Sequence, residues 1–200
     1  EQYAFSGCTG FNGDLVISES VTEIGRGAFY RCTGFKNLYL EEGIQKLGME
    51  VFRECKFSNE LVIPDSMLEI GSYAFSYCYD IPSLDLGNGV TLVGDCAFIK
   101  CTGLEGTLII PDSVTTLGKN AFERCTGFTS LKLGNGLTKI TGGNWGGETT
   151  TYGAFQYCTG LKGAIVIPDS VTAIENYAFK GCSGISEIKI GQNVTTIGDS

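Results

Sequence analysis

Apolar and polar positions along the chain recur in one order: an alternating triplet, an apolar-x-x-apolar step, and an Ala-Phe-x-x-Cys unit. The last falls at Phe5/Cys8, Phe29/Cys32, Phe52/Cys55, Phe75/Cys78, Phe98/Cys101, Phe122/Cys125, Phe155/Cys158 and Phe179/Cys182. Its cysteines are 24, 23, 23, 23, 24, 33 and 24 residues apart. A near-constant period of this length predicts a solenoid, in which each unit buries its apolar face only against its neighbours.

Six or seven residues after each of these cysteines comes a strand-like triplet, such as Leu15-Val16-Ile17, Leu61-Val62-Ile63 or Leu108-Ile109-Ile110. Period-two alternation turns the outer two residues of each triplet inward and the middle one outward. Stacked triplets form a parallel sheet whose outward row reads Val16, Tyr39, Val62, Asp85, Ile109, Lys132, Val166 and Lys189. Two kinds of corner follow the triplets in alternation. Odd repeats carry Ser18-Glu19-Ser20, Pro64-Asp65-Ser66, Pro111-Asp112-Ser113 and Pro168-Asp169-Ser170. Even repeats carry Glu41-Glu42-Gly43, Gly87-Asn88-Gly89, Gly134-Asn135-Gly136 and Gly191-Gln192-Asn193. Pro presets φ whereas Gly and Asn tolerate φ > 0, so the two sets turn by different means. The ancestral unit is therefore read as a duplicated pair.

The apolar-x-x-apolar step, Val114/Leu117 for example, leads into Ala-Phe-x-x-Cys. Phe and Cys three apart share one face of a single helical or 3₁₀ turn, so both are expected to point inward. A Phe ladder and a Cys ladder then run the length of the array. Each buried Phe contributes about 1.5–3 kcal/mol.

The expected fold is one right-handed superhelix over residues 1–200, with a parallel sheet on one face and short helical or 3₁₀ turns opposite. Its repeat segments are 1–8 (partial), 9–32, 33–55, 56–78, 79–101, 102–125, 126–158, 159–182 and 183–200 (partial). The seventh of these carries an insertion at 142–151. The chain starts just before one Ala-Phe-x-x-Cys unit and stops where the next is due, and no polar capping repeat is visible. A fragment of a longer chain is expected, and with it no targeting information.

These units resemble the BspA-like leucine-rich repeat family, whose pattern is approximately L-x-L-P-x-x-V-x-x-I-G-x-x-A-F-x-x-C. The resemblance spans the chain, with departures at Val51 (for Ala), at Glu175 (for Gly) and in the interrupted sixth repeat. It implies a leucine-rich solenoid of surface proteins from host-associated bacteria and some mucosal protists. It also implies an adhesive role, with extracellular-matrix proteins or host cells as partners, and an extracellular or cell-surface location.

Composition narrows the chemistry. With 22 acidic and 14 basic residues and a net charge of −8, nucleic acid and anionic membrane surfaces are poor partners. No apolar run approaches the roughly 20 residues of a membrane span. There is no His, so nucleophile–base pairs lack their commonest base. No catalytic, cofactor-binding or metal-binding set is predicted, and a monomer is expected. Glu19, Asp65, Asp112 and Asp169 recur on every second repeat, about 10 Å apart at ~4.8 Å per rung, too far to share a cation. Eight of the nine cysteines sit at the repeat position and read as buried free thiols that pack as small hydrophobes. Neighbours would lie within disulfide range, but parallel side-chain vectors oppose bridging. Cys96 stands two before Phe98 and is expected off the inward face, either as an exposed thiol or as an incidental substitution.

Two surfaces are candidates for binding. The outward strand row offers four aliphatic points among tyrosine and charge, which suits a protein partner, while β-propensity alone would also put Val and Ile there. The loop at 142–151 holds the only Trp, and Asn144, Trp145 and Glu148 are its candidate contacts, for a sugar or a partner's pocket. A neutral loop whose Trp covers the next repeat is the competing reading. Function is expected to be non-enzymatic binding of host protein or glycan through the strand face; the alternative is a spacer presenting another domain.

Overall fold

The computed structural model describes residues 2–144 and 150–199. The chain winds through eight coils, and among the described residues every strand pairing but one is parallel. Numbered along the chain, the triplets form a first row. It comprises β1 (Leu15–Ile17), β3 (Leu38–Leu40), β5 (Leu61–Val62), β7 (Leu84–Asp85), β9 (Gly106–Ile110), β11 (Phe128–Leu133), β15 (Gly163–Val166) and β17 (Ile185–Lys189). A second row lies at the apolar-x-x-apolar step: β2 (Glu23–Ile24), β4 (Lys46–Leu47), β6 (Glu69–Ile70), β8 (Leu92–Val93), β10 (Thr116–Leu117), β12 (Lys139–Ile140), β16 (Ala173–Ile174) and β18 (Thr196–Ile197). A hairpin of β13 (Gly142–Asn144) and β14 (Thr151–Gly153) supplies the one antiparallel pair among the described residues.

The expected single sheet of triplets is instead four separate pairs, β1–β3, β5–β7, β9–β11 and β15–β17, each joining an odd coil to the following even one. The two kinds of corner differ in what they can give. In the first pair the residue after the even triplet, Glu41, donates its N–H back to Ile17 O at 3.0 Å. The residue in that place after the odd triplets is Pro64, Pro111 or Pro168, which has no N–H to give to the preceding even coil. Between β3 and β5 the Asn59 amide bridges instead: its Oδ1 accepts from Leu38 N at 3.0 Å, and its Nδ2 donates to Leu38 O at 2.9 Å.

The more continuous sheet is the second row, five strands from β2 to β10 and three more through β12, β16 and β18. Its coils approach closely because Gly48, Gly71, Gly94 and Gly118 follow these strands. A Cβ there would lie 2.4–2.7 Å from the backbone of the previous coil. Each glycine N–H donates to that coil, as Gly71 N does to Leu47 O at 2.9 Å. Glu175 replaces this glycine where the preceding coil has diverged into the hairpin. There the close approach passes to Gly142, and the Glu175 carboxylate accepts from Gly142 N at 3.0 Å while pairing with Lys139 at 3.0 Å.

The Ala-Phe-x-x-Cys corner corrects the expectation of helical or 3₁₀ turns: among the described residues there is no helix. Alternate residues face different partners. Tyr73, Phe75 and Tyr77 donate N–H to Asp95, Ala97 and Ile99 of the next coil at 2.8–2.9 Å. Ala74, Ser76 and Cys78 donate three residues back within their own turn at 3.1–3.2 Å. Tyr73 and Tyr77 take φ of 59° and 63° to achieve this, and the same two places are left-handed in most other coils. A helix cannot propagate through a left-handed residue.

Both ladders form. Phe5, Phe29, Phe52, Phe75, Phe98, Phe122, Phe155 and Phe179 stack ring on ring with centroids 5.2–5.9 Å apart, the widest step being Phe122–Phe155 beside the insertion. A further aromatic position follows the cysteines, where Phe57 and Phe128 meet the ladder edge-on. Each thiol from Cys32 to Cys182 at the repeat position donates to the carbonyl of the Phe one coil back, at 2.9–3.1 Å. The ladder cysteine is thus a core filler that also gives a hydrogen bond.

Candidate functional site

Alternation places the whole expected strand row outward. Val16, Tyr39, Val62, Ile109 and Val166 are 46–57% exposed, and Asp85, Lys132 and Lys189 are exposed beside them. Aliphatic residues alternate with tyrosine or charge along the row, and the pairing turns that alternation into side-by-side neighbours. Val16 lies against Tyr39, Val62 against Asp85, Ile109 against Lys132, and Val166 against Lys189. Each two-coil module therefore presents one aliphatic side chain beside one polar or aromatic one. Grooves open at two of the three breaks between modules. One of about 280 Å³ lies between β3 and β5, with Tyr39 and Val62 on its walls. A larger one of about 570 Å³ lies between β11 and β15, lined by Lys132, Val166 and Asp169 among others. On the last coil, Ile188 and Ile190 are 47% and 44% exposed, although their places in the triplet are inward ones.

The recurring carboxylates have a structural use. Asp65, Asp112 and Asp169 each accept, through Oδ1, the N–H of Asn88, Asn135 or Gln192 in the next even corner at 2.7 Å. The first module reverses the arrangement, with Glu19 N donating to the Glu41 carboxylate at 3.2 Å. These residues tie odd coil to even coil, which matches the paired sheets. Among the described residues no group of three or more His, Cys, Asp or Glu is placed to hold a metal.

All nine cysteines are free thiols, and only Cys8, on the first coil, is exposed. Burial pushes the ladder thiols up, to about 12 at Cys55 and Cys101. Cys96 departs from expectation: it is 4% exposed. Its backbone is left-handed, φ 57°, and its thiol meets the Tyr73 hydroxyl. That contact first, and burial second, raise the Tyr73 phenol to about 12.

Of the loop candidates, Asn144 is exposed at the end of β13, opposite Thr151. Trp145 and Glu148 lie outside the described residues. The hairpin's roots are anchored at Gly153, whose N–H reaches the buried Asn120 Oδ1 at 2.9 Å, and at Gly142 through Glu175.

Sequence reasoning missed a stripe of tyrosines and cations along the Phe corner. Arg53 lies 5.5–5.6 Å from the rings of Tyr30, Tyr73 and Tyr77, and Arg31 lies 5.0 Å from Tyr30. Lys100 lies 5.0 Å from Tyr77, and Arg124 4.9 Å from Tyr157. On the first three coils carboxylates accompany the cations. Glu50 accepts from Tyr3, Arg26 and Arg53 at 3.1, 3.3 and 2.8 Å, and Glu54 takes Arg31 at 2.8 Å. Burial by itself would raise the Glu50 carboxyl, but these three donors outweigh it and hold it below its ordinary value. The signal was the recurrence of Tyr, Arg and Lys two residues after the ladder Phe, at Arg31, Tyr77, Lys100, Arg124 and Tyr157.

Comparison with known proteins agrees with this architecture. Among solved structures, a leucine-rich cell surface protein from Faecalibacterium prausnitzii is 24% identical with a TM-score of 0.56, over 94% of this chain and 56% of its own. The pneumococcal vaccine antigen PcpA is 17% identical with a TM-score of 0.63, over 94% of this chain and 47% of its own. A leucine-rich repeat protein of T. pallidum is 18% identical with a TM-score of 0.58, over 94% of this chain and 73% of its own. The chain thus spans about half the length of the first two, and at these identities the likeness establishes the fold. No curated protein matches the sequence. The model of the BspA-type leucine-rich repeat region matches in six copies, over residues 1–105, 105–144 and 148–200. Eight coils, the stacked Phe and Cys ladders and this match over nearly the whole chain place it in one family: the protein belongs to the BspA-type leucine-rich repeat proteins.

Proposed function

We propose that the chain is a non-enzymatic binding module, displayed at a cell surface or secreted, that recognises host protein or glycan through its strand face. The observation that carries this reading is the row of four modules, each pairing an aliphatic point with a tyrosine or a charge. An exposed row of mixed character on a rigid repeat scaffold suits a partner lying along it. The cell-surface description of the F. prausnitzii structure and the vaccine-antigen description of PcpA are consistent with that location.

The test is binding to a panel of matrix proteins, mucins and glycans at physiological salt, beside Tyr39→Ala, Lys132→Ala and a deletion of residues 142–151. Saturable binding weakened at least tenfold by Tyr39→Ala or Lys132→Ala supports the strand face. A loss confined to the deletion moves the site to the loop. Absence of binding across the panel favours a second reading, a spacer that presents another domain, for which the unbroken Phe stack is a suitably stiff axis.

A further inference from the structure

The tyrosine and cation stripe changes character halfway along the molecule. On coils one to three its arginines are met by Glu50 and Glu54. Further on, Lys100 has no carboxylate partner among the described residues, and Arg124 has one, Glu123, bound through Nε alone at 3.1 Å. Its two terminal nitrogens accordingly remain donors. Around these two cations lies an open lane of about 510 Å³, lined by Tyr79, Lys100, Thr102, Arg124, Thr126, Tyr157 and Thr159. The lane crosses four coils, roughly 14 Å at ~4.8 Å per rung. Tyr79, half exposed, stands at one end and Tyr157 at the other. Thr102, Thr126 and Thr159 directly follow ladder cysteines and are exposed, so consecutive coils present a line of hydroxyls.

We propose that this lane is a binding site for an acidic oligosaccharide, separate from the strand face. Each lining group matches part of such a ligand. Tyr79 offers a flat apolar face for the C–H side of a sugar, with a polar tip at the rim, and Tyr157 holds Arg124 against its ring at 4.9 Å. Lys100 and Arg124 supply charge-assisted donors to a carboxylate or sulfate, and with Glu123 as the one paired acid they leave a net positive charge. The threonine hydroxyls can donate to or accept from sugar hydroxyls. A peptide strand fits less well. No aliphatic side chain lines the lane, and the backbone N–H groups of Tyr77, Lys100 and Arg124 are already given to the next coil at 2.8–2.9 Å.

The experiment is calorimetric titration of the 200-residue chain with three trisaccharides: a carboxylated one (tri-galacturonate), a heparin-derived sulfated one, and neutral maltotriose. Expected is saturable binding of at least one acidic probe, at least tenfold tighter than maltotriose, and the arm that binds identifies the acid. Lys100→Gln with Arg124→Gln should weaken it at least tenfold, and so should Tyr157→Ala. Tyr39→Ala and Lys132→Ala on the strand face should leave it unchanged, so this site and the strand-face reading succeed or fail separately. Thermal unfolding of each variant checks that the coils remain intact, and Arg124→Lys should restore part of the affinity in a folded protein. No saturable binding of either acidic probe, equal binding of maltotriose, or full binding by the folded double variant would each overturn the proposal.

Discussion

The Phe–Cys corner and the strand face belong to the same coils yet differ in continuity. At the corner, rings stack without interruption from Phe5 to Phe179, and a thiol spans each step from Cys32 onward. On the strand face the ladder stops after every second coil, at Pro64, Pro111 and Pro168. Burial makes the difference. Inside, every ring needs its neighbours on both sides, so no coil can opt out. Outside, the exposed row is under no such constraint and carries a two-coil pattern. One solenoid thereby has a continuous stiff spine and a modular exposed face.

The largest effect in this comparison should come from cutting the spine. Phe98→Ala is expected to cost about 3–5 kcal/mol and to melt adjoining coils together, since Phe98 stacks on both Phe75 and Phe122. Denaturant unfolding with amide exchange checks this, and loss of protection in one coil alone would refute the shared spine. Next comes Gly71→Ala in the second row, where the new Cβ would sit 2.5 Å from Leu47 O. About 1–3 kcal/mol is expected from the forced separation of coils, read as a lower midpoint with an unchanged denaturant slope.

The thiols give an intermediate test with a pH signature. In the native state a thiol reagent should label Cys8 and spare the eight buried cysteines until the protein unfolds. Burial holds Cys55 and Cys101 protonated to about 12 in the fold, against an ordinary 9.0. Their stabilising contribution is therefore complete below about pH 9 and is lost as pH rises towards 12. Alkaline melts should show that decline, and a flat stability profile across the interval would count against buried thiols.

Smaller effects should follow on the modular side. Asp112→Ala removes the acceptor for Asn135 N. It should cost about 0.5–1.5 kcal/mol, with faster amide exchange confined to the fifth and sixth coils. Tyr39→Ala, at an exposed position, should change stability by no more than about 0.5 kcal/mol. Any larger effect on ligand binding would then belong to the surface.

What sequence reasoning reached and missed divides along physical lines. The inward and outward residues of Leu61-Val62-Ile63 were legible because alternation is local, and the Phe and Cys ladders because identical residues recur at one period. The second strand row was missed, since two residues such as Glu69–Ile70 carry no strand signature until a neighbouring coil pairs with them. Cys96 lies outside the core cluster, as expected, but it is not an exposed thiol. Its burial depends on Tyr73 of the preceding coil, 23 positions away, which nothing local signals. The acidic-sugar lane draws on residues from four coils, about 80 positions apart from Tyr79 to Thr159, and nothing local joins them.

The sequence by itself determined the repeat, the number of coils, the Phe and Cys ladders of the core and the eight residues of the exposed row. All of these depend on periodicity, which is a one-dimensional property. Tertiary structure alone decided how the coils join. Whether an N–H finds its acceptor in its own turn or in the next coil depends on distances across a period of some 23 residues. Those distances turned an expected helix into a left-handed zigzag, divided the strand face into pairs, and left two cations without full partners.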